Sequence, residues 1–254
     1  MKPSLIVHTT LPTTMLEAKA KAHAGAPEGT TILARAQTSG RGRHGRTWVA
    51  EPDTGVWMTM ILRPPAERIA TFAELSLVAG IAVCKSVQAM GAAAARLKWP
   101  NDVLIGDRKL AGILLESDGA TVFVGIGLNL TRAAERSLHP EIAGIYAGLL
   151  DHVAKPPWEG ATEPGELPVV YTSKVLMNEL ATWYDRWKAH GFSKLTDIYA
   201  DLDALKDSDV RVAATDGTQL EGKARGVNAR GELCVETNRG ITEVRAGEVE
   251  RVRR

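Results

Sequence analysis

Apolar positions along the chain fall into runs of two kinds, and their spacing separates strands from helices. Leu5–Val7 is a short apolar start. After Pro12, the segment Thr14-Met15-Leu16-Glu17 has the form of a capping box, with Thr14 capping and Glu17 reaching back, followed by EAKAKAHA up to Gly25. Thr30–Ala36 is β-prone, and Val56–Leu62 (VWMTMIL) is an unbroken apolar run stopped by Pro64-Pro65, the pattern of a buried strand. Phe72–Met90 carries apolar residues at helical spacing and ends at Gly91, which predicts a long core helix. From RLKW to TVFVGIGLNL, short apolar runs separated by brief turns predict an antiparallel meander.

Residues 155–170 hold four prolines and two glycines and read as a surface loop or insertion. Lys174–His190 is helical again, with Leu176, Leu180, Trp183 and Trp187 on one face. From about Asp207, Val210–Thr215, Gln219–Val227, Glu232–Thr237 and Ile241–Arg245 alternate with Gly-containing turns, the pattern of a small SH3-like β barrel. The class is therefore α+β: a mixed, mainly antiparallel sheet with flanking helices over 1–205, and a barrel over 206–254.

Composition adds limits to this picture. At 254 residues with 44% hydrophobic and 24% charged positions, the chain can bury a sizeable core. A net charge of +1 provides no global field to hold a nucleic acid. Two cysteines, Cys84 and Cys234, in unrelated segments and six scattered histidines form neither a disulfide framework nor a metal spacing, as expected of a reduced, cytoplasmic protein. The N-terminus shows no signal-like segment and no uninterrupted apolar run is long enough to span a membrane.

Residues 40–48, GRGRHGRTW, stand apart from this ordinary background. Glycines let a backbone approach a ligand closely and turn consecutive N–H groups onto an anion, and Arg41, Arg43 and Arg46 add fixed positive charge. The run reads as a phosphate-gripping loop, mobile when empty, or as a solvated basic loop or an arginine–glycine segment that touches nucleic acid. Trp48 covers the ligand or packs in the core.

Four segments in order, Gly40–Trp48, Lys98–Val103 (KWPNDV), Lys109–Leu114 (KLAGIL) and Gly125–Leu130 (GIGLNL), together with Thr13-Thr14, resemble the signature set of the biotin–protein ligases in the biotin/lipoate ligase superfamily. The resemblance runs from about Leu5 to the C-terminal barrel and implies a class II synthetase-like catalytic domain. It implies a two-step reaction: biotin and ATP give biotinyl-5′-AMP and pyrophosphate, and a lysine of a biotin carboxyl carrier protein then takes the biotinyl group. A carboxylate and a polyphosphate repel one another, so cations must neutralise the phosphates and align the reactants.

The same resemblance places Arg41 and Arg43 on the phosphates and Lys109 between the biotin carboxylate and the reacting phosphate. Asp102 follows either as catalytic support or as a plain turn residue after Pro100. Biotin falls to Thr13, Thr14, Gln37, Gly40, Arg41, Lys109, Gly112 and Gly125. The nucleotide falls to Arg41, Arg43, Arg46, Trp48, Lys98, Asn101 and Asn129, with Mg²⁺ arriving on the ATP phosphates rather than in a dedicated protein site. Met15, Arg35 and His44 depart from the usual pattern. A helix-turn-helix repressor module has no room before the catalytic segment, so no nucleic acid is expected as partner. A homodimer is compatible with an exposed edge of the meander. The rivals are a lipoate–protein ligase and a non-catalytic protein that binds biotin or the carrier.

Overall fold

A strand whose eight residues are all buried needs cover on both faces, and β3 (Gly55–Leu62) accordingly lies inside a seven-stranded sheet. The computed structural model describes residues 1–131 and 145–252. The sheet runs in the order β1 (Ser4–Leu11), β2 (Thr30–Gln37), β3, β7 (Thr121–Asn129), β6 (Arg108–Asp118), β5 (Asp102–Ile105), β4 (Ala95–Lys98). The last four strands make the antiparallel meander that the sequence predicts. At the other edge β1 is parallel to β2, and it extends well beyond the Leu5–Val7 expected for it. A parallel pair needs a crossover, which α1 (Thr14–His23) supplies.

The cap of α1 corrects the sequence reading. Thr13, not Thr14, is the N-cap, its hydroxyl accepting from the Leu16 backbone N–H at 3.1 Å. The register shift frees the Thr14 side chain for another purpose described below. The long apolar segment is also divided: Phe72–Glu74 forms a 3₁₀ turn, and the α-helix, α3, begins only at Leu75 and runs to Ala89, after the short α2 (Ala66–Ile69). Phe72–Ala89 reaches the length and mean hydropathy, 1.4, of a spanning helix, but two thirds of it, 67%, is buried inside the protein. Helix α4 starts at Pro168, six residues before the expected Lys174, because proline is well suited to a first helical turn; it ends at His190.

Helices α3 and α4 pack on one another and on one face of the sheet, and α1 covers part of the other. The large core lies on the α3/α4 side, with Val56, Met58, Met60 and Leu62 of β3 pointing into it. A smaller cluster of Met15, Ala18, Ile32, Ile61 and Phe123 lies under α1. The remainder of the α1-side face is open, which is where a ligand can enter.

A short helix, α5 (Thr196–Leu202), leads into a second, five-stranded antiparallel sheet of order β11-β10-β9-β8-β12. Its strands are β8 (Asp209–Ala214), β9 (Gln219–Val227), β10 (Leu233–Thr237), β11 (Gly240–Val244) and β12 (Gly247–Arg251). The last of these was not predicted. The two sheets are joined firmly: Trp99 Nε1 donates to Gly231 O at 3.0 Å, and the turn at Gly231 rests against Leu77 and Phe192.

Asp203 sits at this junction, and burial raises its pKa to about 6; the Leu205 and Lys206 amides and the Lys206 and Arg251 charges only partly oppose that rise. Its folded pKa therefore exceeds the unfolded value of 3.8, so stability is gained as pH falls through about 6 and lost as pH rises. Asp203→Asn, which retains an acceptor for the Leu205 N–H, is expected to stabilise the protein by roughly 1–3 kcal/mol at pH 8, with the two proteins converging near pH 4. Urea midpoints at the two pH values measure this, and equal midpoints at pH 8 would refute it.

Candidate active site

A sheet face becomes a pocket where side chains are missing from it. On the α1 side of the two adjacent strands β6 and β7, three positions are glycine: Gly112, Gly127 and Gly125. The register puts Asp102, Gly112, Gly127 and Trp57 in one row across four strands, and Leu114, Gly125 and Thr59 in a parallel row. These rows floor a cavity of about 460 Å³, within the range of small-molecule sites. A Cβ on Gly127 would come within 2.7 Å of the Trp48 indole, one on Gly112 within 3.0 Å of Trp48 and of Lys109 Cε, and one on Gly125 within 3.1 Å of Met15 Cε.

Lys109 reaches this pocket because of a bulge. In β6, Gly112 opposes Asp102 and Ala111 opposes Val103, but Leu104 opposes Lys109, so Leu110 is the extra residue. Leu110 and Ala111 both enter the core, and the side-chain parity flips. Lys109 thereby shares the pocket face with Gly112 and Leu114; strict alternation would have sent it toward α3. Its Nζ stands 2.6 Å from Asp102 Oδ1, a close ion pair whose geometry is not that of an aligned hydrogen bond, and 5.1 Å from the Trp48 ring centroid. Its backbone is clamped as well. Lys109 N donates to Ile145 O at 2.6 Å, and Lys109 O accepts from Ala147 N at 2.9 Å and from Asn129 Nδ2 at 3.2 Å.

The loop Gly40–Trp48 closes over the floor as a hairpin. Trp48 N donates to Gly40 O and Gly42 N to Arg46 O, with His44 (φ 55) and Gly45 (φ 72) forming the tip. A Cβ on Gly40 would lie 2.4 Å from Trp48 O, so only glycine allows that closure. Arg43 turns inward, donating to Asn101 Oδ1 at 3.1 Å and to Gly247 O at 3.2 Å. Burial lowers its pKa, against the pull of Glu248 and Asp102. Arg46 pairs with Glu248, and His44 lies 3.4 Å from the same carboxylate. Arg41 and Lys98 line the cavity and have no ion pair within the described residues. Trp48 meets Trp57 edge-on at 6.3 Å, and its Nε1 is buried without a hydrogen-bond partner.

On the far side, the Thr14 backbone N–H donates to Gln37 Oε1 at 2.7 Å, and the Thr14 hydroxyl lies 3.3 Å from the same oxygen and 2.8 Å from the Thr59 hydroxyl. With its oxygen used in this way, Gln37, which lines the cavity, keeps its amide N–H₂ as a donor. Thr13, by contrast, spends its hydroxyl on the cap. Asn101 divides its side chain between Arg43 and Ile113 O, so it ties the loop to β6. Arg35, one of the departures, forms an ion pair with Asp53 away from the cavity.

All of the residues assigned from the sequence to catalysis, biotin or nucleotide line one cavity except Gly40, which shapes its lid. The cavity also takes in residues to which the sequence assigns no site role, among them Trp57, Thr59, Tyr146 beside Lys109, Lys19 of α1, Glu116 of β6 and Glu248–Glu250 of β12. Thr59 left a faint signal, as the one hydroxyl in an otherwise apolar strand.

Residues 8–129 match the biotin/lipoate A/B protein ligase family and residues 208–252 match the biotin protein ligase C-terminal domain. The chain is 31% identical to the bifunctional ligase/repressor BirA of Bacillus subtilis over 98% of its own length and 74% of that protein. It is 34% identical to the biotin–[acetyl-CoA-carboxylase] ligase of Mycobacterium tuberculosis, over 92% of this chain and 84% of that one. Its fold matches the biotin protein ligase of Aquifex aeolicus in complex with biotin and ATP, with a TM-score of 0.84 at 23% identity, covering 99% of this chain and 100% of the other. The chain belongs to the biotin protein ligases of the biotin/lipoate ligase family.

Proposed function

We infer that the chain joins biotin to ATP, forming biotinyl-5′-AMP and pyrophosphate, and then passes the biotinyl group to a lysine of a biotin carboxyl carrier protein. The observation that carries this reading is the placement of Lys109: a bulge aims a clamped ammonium into a glycine-floored cavity beneath a loop of three arginines. Lys109 orients the acid carboxylate and stabilises charge that develops on the reacting phosphate. Arg41 and Arg43 grip the phosphates, with Arg46 at the rim, and Asp102 holds Lys109 until substrate displaces it.

The bicyclic urea requires donors and acceptors together, which the Thr14–Gln37–Thr59 group supplies beside Gly125, with Thr13 fixing the helix that presents it. Gly40 and Gly112 admit the chain of the acid close to the backbone. Trp48, Lys98, Asn101 and Asn129 frame the nucleotide. Mg²⁺ would accompany the triphosphate and shield its charge, with Asp102 and Glu248 the cavity carboxylates beside the loop arginines, consistent with few direct protein ligands.

The catalytic unit is assigned to 1–205 and the barrel to 206–254, the latter contributing Glu248, Val249 and Glu250 to the cavity wall. In the same reading the protein is cytoplasmic and binds no nucleic acid, and a homodimer forms not through the edge of the meander, which is β4, but through β1 at the other edge of the sheet. Strand β1 is the free edge because β4 is already bridged to Asp203.

Biotin-dependent ATP–pyrophosphate exchange tests the reading against its rivals. Exchange with biotin and at least about 10²-fold less with lipoate is expected, since a site built for urea hydrogen bonds is left unpaired by an acid lacking them. Exchange only with lipoate would point to the lipoate–protein ligase, and biotin binding without exchange to a non-catalytic binder.

A further inference from the structure

The pocket face of β6 does not stop at Leu114. The next residue on that face is Glu116, paired in register with Phe123 of β7, and both Glu116 and Lys19 of α1 line the cavity. Their side chains form an ion pair at 2.5 Å, with Lys19 Nζ 5.9 Å from the Phe123 ring centroid. Both are about one third exposed, 31% and 35%, so the pair stands between cavity and solvent. It lies at the end opposite Lys109: seven residues along a strand is about 23 Å, less where the bulge shortens it. The Thr14–Gln37–Thr59 group falls between the two ends, at the Leu114–Gly125 row. Around the pair the lining is apolar, Met15 and Leu114 inside and the half-exposed Leu16 at the lip.

We propose that Lys19 and Glu116 are specificity-determining residues, a back wall that limits how far the head group of the acid can extend beyond its hydrogen-bonding site. This rests on the ligase reading above and assigns the end of the same cavity. The physical basis is steric. Two long side chains held together fill the exit, and their removal opens the way for a bulkier head group from the apolar Met15 and Leu114 out to Leu16 at the lip. The pair is part-buried at the rim of the cavity, where an ion pair adds only modestly to stability, so the double variants are expected to fold.

The test compares biotin with biotin analogues carrying a propargyl group on either ureido nitrogen, in pyrophosphate exchange and in thermal-shift binding. The unsubstituted protein should exclude the analogues. Lys19→Ala/Glu116→Ala should raise kcat/KM for at least one analogue, relative to biotin, by tenfold or more. Lys19→Met/Glu116→Leu, which fills the same space without charge, should continue to exclude them. Unchanged discrimination in the double alanine variant, or equal gains in both double variants, would overturn the assignment of a steric wall. Failure of the unsubstituted protein to exchange with biotin would instead count against the ligase reading, and analogue binding measured by thermal shift would still decide the role of the pair.

Discussion

Lys109→Ala is expected to slow the first half-reaction, the formation of biotinyl-5′-AMP, by about 10²–10³-fold, the usual cost of deleting one preorganised group that stabilises charge in a transition state. The fold should survive, because what holds residue 109 in place is its backbone, through Ile145, Ala147 and Asn129, and none of those bonds involves the ammonium. The side chain already lines the open cavity, so its removal enlarges that cavity rather than creating a sealed void. Asp102 would lose its cationic neighbour, so any residual biotin affinity should fall as well, the unpaired carboxylate now facing the acid. Single-turnover formation of the adenylate from labelled ATP is the measurement. Formation at the unsubstituted rate would remove Lys109 from the chemistry and leave the bulge at Leu110 without a purpose.

That bulge also marks the limit of what the sequence discloses. KLAGIL reads as a strand start, and its lysine stands out by resemblance, but nothing in the alternation of L-A-G-I-L says that Leu110 and Ala111 both turn inward. The flip depends on how β5 pairs with β6, a long-range fact. Local signals suffice where one residue type has one use: Val56–Leu62 as a buried strand, and the meander of short runs. They were misread where two residues could do the same job. Thr13 and Thr14 are equally able caps, and only the tertiary partners Gln37 and Thr59 decide that Thr14 is the one that turns to the cavity. The parallel strand β1 was underestimated because His8, Thr9 and Thr10 interrupt its apolar pattern, as suits an edge with one side open to water. β12 was missed for a related reason: G-E-V-E-R buries Gly247 and Val249 alone, and the other positions face outward or toward the loop.

Arg43→Gly should have a different signature from Lys109→Ala, and the difference tests the division of labour between loop and strand. All three loop arginines line the cavity, but Arg43 joins the loop to the KWPND turn through Asn101 and to the second sheet through Gly247. Glycine there removes both anchors and adds a fourth flexible position to a segment already containing Gly40, Gly42 and Gly45. The Lys109–Asp102 pair stays in place, although Asp102 loses the more distant charge of Arg43, so the adenylate should still form. Its retention should suffer, since charge-assisted hydrogen bonds to a phosphate are worth about 1.5–3 kcal/mol, or roughly ten- to a hundredfold in release rate. The biotinyl adenylate would then escape and acylate exposed lysines without selection. Release of preformed adenylate into a trap, followed in parallel with single-turnover formation, separates the two steps. Equal losses of formation and retention in both variants would mean that loop and lysine act as a single unit, and the assignment of retention to Arg43 would fail.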